Sequence, residues 1–163
     1  MNRLQPIFVS LNVPTDLLEN SQPHAAFAPG VEPTLGRLTT HVLDTVKGGP
    51  AVGMHIELLV SEASSLDSAG AAGGDGPWRS LRSVITNHDG RIDGPLLAGD
   101  AFKPACYRLV FDVAAYFKAQ GAALPEPAFL GRVPLDFGVA NTQAHYHVPL
   151  LVSPWAYSTY RGS

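Results

Sequence analysis

Apolar and polar residues alternate along this chain in short runs with a period of two, the pattern of strands with one buried face. In RLTTHVLDT, Leu38, Thr40 and Val42 fall on one side and Thr39, His41 and Leu43 on the other. In GMHIELLV, Met54, Ile56, Leu58 and Val60 oppose His55, Glu57 and Leu59. KGGP between these runs supplies turn residues and predicts a hairpin joining the two. WRSLRSVIT resumes the strand pattern, NHDG turns it, and RIDGPLL is a short strand broken by Gly94 and Pro95. CYRLVFDV puts Tyr107, Leu109 and Phe111 on one face. AAYFKAQG is the one helical stretch, about two turns long, and Gly121 suits its C-terminal side. AFLGRVPLDF, AHYHVPLLV and WAYSTYR complete a set of about eight short strands punctuated by Gly and Pro, which predicts an all-β sandwich.

The first 36 residues break the pattern. Pro6, Pro14, Pro23, Pro29 and Pro33 interrupt any apolar period, so residues 1–36 are expected to form an irregular N-terminal extension and residues 37–163 the compact domain. SEASSLDSAGAAGGDGP, residues 61–77, reads as a low-complexity loop tolerant of change. The composition is 45% hydrophobic and 15% charged. It is apolar enough for a real core and low in charge, as suits a subunit of an oligomer. A net charge of -3 without runs of Lys or Arg argues against nucleic acid as a partner. No basic amphipathic helix suggests a membrane surface, no apolar stretch is long enough for a transmembrane helix, and no secretory signal is read at the N-terminus. Cys106 is the only cysteine, which excludes an intrachain disulfide and a CxxC metal site; it reads as a packed thiol in a strand.

The chemistry concentrates near the C-terminus. In AHYHVPLLV, Tyr146, Val148, Leu150 and Val152 form the core face, while His145, His147, Pro149 and Leu151 point outward. Pro149 suggests a sheet edge or a local irregularity. Three readings compete for the two histidines. The first is a polar outer face without chemistry. The second is a metal site, for which His41, His55 or His88 would have to add ligands that no spacing supports. The third is an acid/base pocket, since a neutral imidazole takes a proton from water near physiological pH. His41 favours the third, because it also faces away from its strand's core side. Arg91, after the NHDG turn, is either a solvated charge or a cationic fork for an anionic ligand.

LTTHVLDT with the following GGPA, TNHDGRIDGPLLAG, YRLVFD and HYHVPLLVSPWAYSTYRGS together resemble the transthyretin-related family, in its 5-hydroxyisourate hydrolase branch. The resemblance covers nearly all of residues 37–163. It implies a transthyretin-like sandwich of two four-stranded antiparallel sheets with one short helix. It also implies a homotetramer with sites at subunit interfaces, and a hydrolase that opens a cyclic amide C–N bond in urate breakdown. No metal or organic cofactor is implied. The catalytic positions it implies are His41, Arg91, His147 and Ser163, with His41, Arg91, Tyr160 and Arg161 holding substrate and Gly162 completing the YRGS ending; His145 has a less defined role. The alternative is a non-catalytic carrier of small molecules with the same central channel, since fold alone does not decide function. RLQPIFVSL, at Arg3 to Leu11, is similar to a peroxisomal signal of the form R-L-x5-H-L with Ser10 in place of the histidine, so a cytoplasmic or peroxisomal location is expected.

Overall fold

Strand β1, Arg37–Asp44, buries Leu38, Thr40, Val42 and Asp44 and turns Thr39, His41 and Leu43 outward, as its alternation predicts. A computed structural model of the 163-residue chain describes residues 36–62 and 76–162. The N-terminal extension up to residue 35, with the targeting-like segment at Arg3 to Leu11, lies outside the described residues, as do most of the 61–77 loop and Ser163. After β1 come β2, Gly49–Pro50; β3, His55–Ser61; β4, Trp78–Ile85; β5, Leu97–Ala98; and β6, Ala105–Asp112. Helix α1, Val113–Ala119, is followed by β7, Arg132–Val139; β8, His145–Val152; and β9, Tyr157–Thr159. Gly121, at φ 85°, takes the left-handed conformation just beyond α1.

The strands form two sheets. One is ordered β2-β1-β8-β9, with β5 also paired to β1; the other is ordered β4-β3-β6-β7. Leu38, Val42 and Leu150 from the first sheet meet Ile56, Leu58, Leu109 and Phe111 from the second, all fully buried. Tyr116 of α1 donates a hydrogen bond of 2.9 Å to Asp44 Oδ2, while the backbone N–H groups of Val46 and Lys47 satisfy Oδ1. Burial and the Asp44 carboxylate raise the Tyr116 pKa well above the ordinary phenol value.

Several local expectations change. The first two long strands are not a hairpin: β1 pairs with β2, β5 and β8, whereas β3 pairs with β4 and β6. Each buries a full face, so they oppose one another across the core, and period-two alternation does not specify the partner. The first sheet is mixed and five-stranded, because β1 and β8 run parallel, with Thr39 beside His147 and His41 beside Pro149. Of RIDGPLL only Leu97 becomes strand, as the start of β5. Pro149 sits on β8 between β1 and β9, not on an edge. His147 exchanges backbone hydrogen bonds with Gly162, and two residues later the chain would direct the next N–H to the same side. Proline has none to give, and the ladder is interrupted there between Thr159 and Gly162. Cys106 is half-buried rather than fully packed.

Candidate functional site

The outward faces of β1 and β8 lie side by side because the two strands are parallel and in register. Arg37 stands beside His145, and Thr39 beside His147. Thr39 Oγ1 lies 2.8 Å from His145 Nε2 and 2.9 Å from His147 Nδ1. A hydroxyl has one hydrogen to donate, so it gives to one imidazole and accepts from the other. The two histidine tautomers are thereby coupled. The parallel pairing that reveals Thr39 as a bridge joins segments about a hundred residues apart, and only its place on the His41 face was visible beforehand.

The turn after β4 brings in the guanidinium. Asn87 N donates to Arg91 O at 2.7 Å, and Asn87 Oδ1 accepts from the N–H groups of Asp89 and Arg91. The turn is fixed to β1 because Val42 N donates to Gly90 O at 2.8 Å. Gly90 has φ 68°, and a Cβ there would lie 2.4 Å from Val42 O. Gly90→Ala is therefore expected to lower stability by at least the 1–3 kcal/mol or so of a non-glycine left-handed residue, read as a lower urea midpoint, with Arg91 displaced from the site.

Arg37, Thr39, Arg91, Ile92, His145 and His147 line one cavity of about 430 Å³, a size suited to a small planar ligand. His41 is not a lining residue but lies close enough to Arg91 and His147 to interact electrostatically with both. Burial lowers the pKa of His41, the Arg91 charge lowers it further, and a hydrogen bond to the Asp89 backbone with the Asp89 carboxylate opposes both. Burial is also the first cause of the lowered pKa of His147, followed by Arg91, His145 and His41. His145 is lowered by burial and by Arg37. All three imidazoles thus favour the neutral form, able to accept a proton. Among the described residues, no group of three or more His, Cys, Asp or Glu is placed to hold a metal ion.

The tail is held against this site from one side. Gly162 N donates to His147 O at 2.8 Å, and a Cβ on Gly162 would lie 2.8 Å from His147 Cδ2. Glycine is needed for that approach. Tyr160 and Arg161 instead line a second cavity of about 220 Å³ with Leu135, Phe137 and Tyr146. The Arg161 guanidinium stacks 4.5 Å from the Tyr146 ring centroid, and Tyr160 is exposed. Within the single chain, then, the structure brings His41, Arg91, His145 and His147 together and places Tyr160 and Arg161 in a separate cavity.

Residues 38–162 match the model of the HIUase/Transthyretin family. A 5-hydroxyisourate hydrolase of Pseudomonas aeruginosa is 48% identical over 136 residues, which are 83% of this chain and 98% of that protein. The crystal structure of (S)-allantoin synthase superposes with a TM-score of 0.69 at 40% identity, covering 80% of this chain and 44% of that one, so this chain spans less than half of that protein's length. Sea bream transthyretin in complex with thyroxine superposes with a TM-score of 0.64 at 28% identity, over 77% of this chain and 94% of that one. The same sandwich thus occurs in an (S)-allantoin synthase and in a transthyretin with bound thyroxine, and the chain belongs to the HIUase/transthyretin family.

Proposed function

We propose that this protein hydrolyses 5-hydroxyisourate, opening its six-membered ring to 2-oxo-4-hydroxy-4-carboxy-5-ureidoimidazoline. The observation that carries this reading is the convergence of His41, Arg91 and His147 on one side of the first sheet, with Arg91 and His147 lining a common cavity. Ring opening needs a base to take a proton from attacking water, a cation to hold the ring oxygens and developing negative charge, and a donor for the departing nitrogen. Neutral His147 and His41 do the proton work: one takes a proton from the attacking water and, as the imidazolium so formed, gives it to the leaving nitrogen, while the other orients the water. Arg91 presents its fork of donors to the ring, where partial exclusion of water strengthens the interaction. Thr39, bonded to Nδ1 of His147, leaves Nε2 as the nitrogen that meets water or substrate.

The protein is further proposed to act as a homotetramer. Tyr160, exposed in the protomer, and Arg161 would complete the substrate pocket at a subunit interface together with Ser163. Among the described residues no helix is long and apolar enough to cross a membrane. A fluorescent fusion of residues 1–36 tests the compartment: punctate peroxisomal signal supports the targeting reading, and diffuse signal supports cytoplasm.

Two further outcomes follow from the site. Arg91→Ala is expected to raise KM more than it lowers kcat, as measured by initial rates over a range of substrate concentrations, if the guanidinium mainly holds the ring. The pKa values of His41 and His147 are lowered from 6.5, so kcat/KM should stay level as pH falls to about that value and decline only below it. Stability follows the same sign. The unfolded chain binds more protons than the folded one between the two pKa values, so stability is full above 6.5 and is lost as pH falls through the lowered folded values. The primary test is the ultraviolet time course of freshly prepared 5-hydroxyisourate. Accelerated decay over the spontaneous rate supports hydrolysis, and an unchanged rate with saturable ligand binding supports the carrier.

A further inference from the structure

The outer face of the second sheet carries a set of side chains that the histidine cavity does not use. His55 on β3 stands between Asp112, at the end of β6, and Ser83 on β4. His55 Nδ1 is 2.8 Å from Asp112 Oδ2, and His55 Nε2 is 2.6 Å from Ser83 Oγ. An ionised carboxylate only accepts, so Nδ1 carries the hydrogen and donates to Asp112. In the neutral imidazole that leaves a lone pair on Nε2, to which the Ser83 hydroxyl donates. Asp112 is fixed from its other oxygen by Arg132 Nε at 2.7 Å, and Arg132 also reaches Glu57 Oε2 at 2.9 Å. Hydroxyl, imidazole and orienting carboxylate therefore stand in the order and at the distances that activate a serine.

The surroundings narrow the substrate. β4 is an edge strand. Thr86 N donates to Met54 O, so the Thr86 N–H points toward the β3 side and sets the phase of the alternation along β4. By alternation along the ladder, Ser83 opposite Glu57 belongs to a non-bonded pair. Its own N–H consequently faces the open side of β4, one backbone donor for a developing oxyanion. Ser83 is exposed, and the site lies on a sheet face rather than in a deep pocket. One donor and an open approach suit small acyl groups whose leaving group needs little help.

We propose that Ser83 is a nucleophile acylated by activated carboxylic esters, aryl esters of small acids, with His55 as general base and Asp112 as the orienting carboxylate. Ser83 Oγ forms a bond to the acyl carbon as its proton passes to His55 Nε2. The bond from that carbon to the aryl oxygen breaks, and His55 returns the proton to the departing phenolate. Water then releases the acid by the same relay, restoring the serine.

The test is peptide mapping by mass spectrometry during incubation of the whole protein with p-nitrophenyl acetate at neutral pH. Ser80 is the internal control, since it is exposed on the same strand and hydrogen-bonded to Glu57 rather than to an imidazole. In samples acid-quenched before the adduct hydrolyses, the initial rate of acetylation at Ser83, matched by a burst of p-nitrophenolate, should be about 100-fold that at Ser80 or more, the range of a positioned base. His55→Gln should bring Ser83 down to the Ser80 rate, and Asp112→Asn should slow it by disturbing the tautomer. Ser83→Ala should remove the fast adduct while leaving 5-hydroxyisourate decay unchanged. Equal modification of Ser83 and Ser80 in the wild-type protein, or a His55→Gln protein acetylated at Ser83 as fast as wild type, would overturn the proposal and leave the group a polar ladder. The ratio of the two serines in the wild-type protein decides the matter even where a variant fails to fold.

Discussion

His147→Ala is expected to slow ring opening by about 100- to 10,000-fold, the contribution of a positioned acid or base. Three features single out this residue. It lines the cavity with Arg91. Burial and neighbouring positive charge hold its imidazole in the neutral, proton-accepting form. Thr39 at Nδ1 and the Gly162 backbone at the ring edge fix its orientation. The side chain is outside the core of Tyr146, Val148, Leu150 and Val152, so the variant should keep its fold and its far-ultraviolet circular dichroism. His41→Ala should give a loss of the same order. Loss of activity accompanied by loss of the cooperative unfolding transition would make the histidine structural, and normal turnover by both variants would remove the acid/base assignment.

Gly162→Ala, a change of one methyl group, should cost about 100-fold in kcat/KM, as a misplacement of about 1 Å in a reacting group does. The new Cβ would lie 2.8 Å from His147 Cδ2 and 3.0 Å from His147 Cβ. Those separations are well inside the 3.5–4.0 Å or so at which carbon atoms rest. A shift of the ring would strain the 2.9 Å bond between Nδ1 and Thr39. Either the imidazole moves or the tail leaves its bridge to His147, and both disturb the site. The unfolding midpoint should change far less than the rate, since the tail lies beyond the paired residues of β9. Rates within twofold of wild type would show that the tail backbone does not control the imidazole. Sedimentation velocity on the same sample separates a local effect from loss of assembly.

The faces of the strands were legible because burial imposes a period of two, and no other force along a strand does. Leu38, Thr40 and Val42 on β1, and Tyr146, Val148, Leu150 and Val152 on β8, could be sorted from spacing alone. So could the outward direction of His41, His145 and His147. Strand partnership was not legible, because it depends on contacts between distant segments. The turn residues of KGGP suggested a hairpin, yet β1 takes β8 as a parallel neighbour and β3 lies in the other sheet. Thr39 as a bridge between two imidazoles follows only from that parallel register. Likewise, His55, Ser83 and Asp112 are ordinary outward-facing polar residues until β4, β3 and β6 are laid side by side. The place of Arg91 rests on Gly90, whose φ and close approach to Val42 let the turn dock beside His41. The family blocks supplied the residue roles that spacing could not.

The most direct measurement is a crystal structure of the assembled protein with a planar oxidised purine that it cannot open, such as urate. The ring is expected in the cavity of Thr39, Arg91 and His147, its oxygens within hydrogen-bond distance of the Arg91 guanidinium and one imidazole nitrogen facing the carbon that water attacks. A ring seated elsewhere, with His41, Arg91 and His147 making no contact to it in any subunit, would contradict the account.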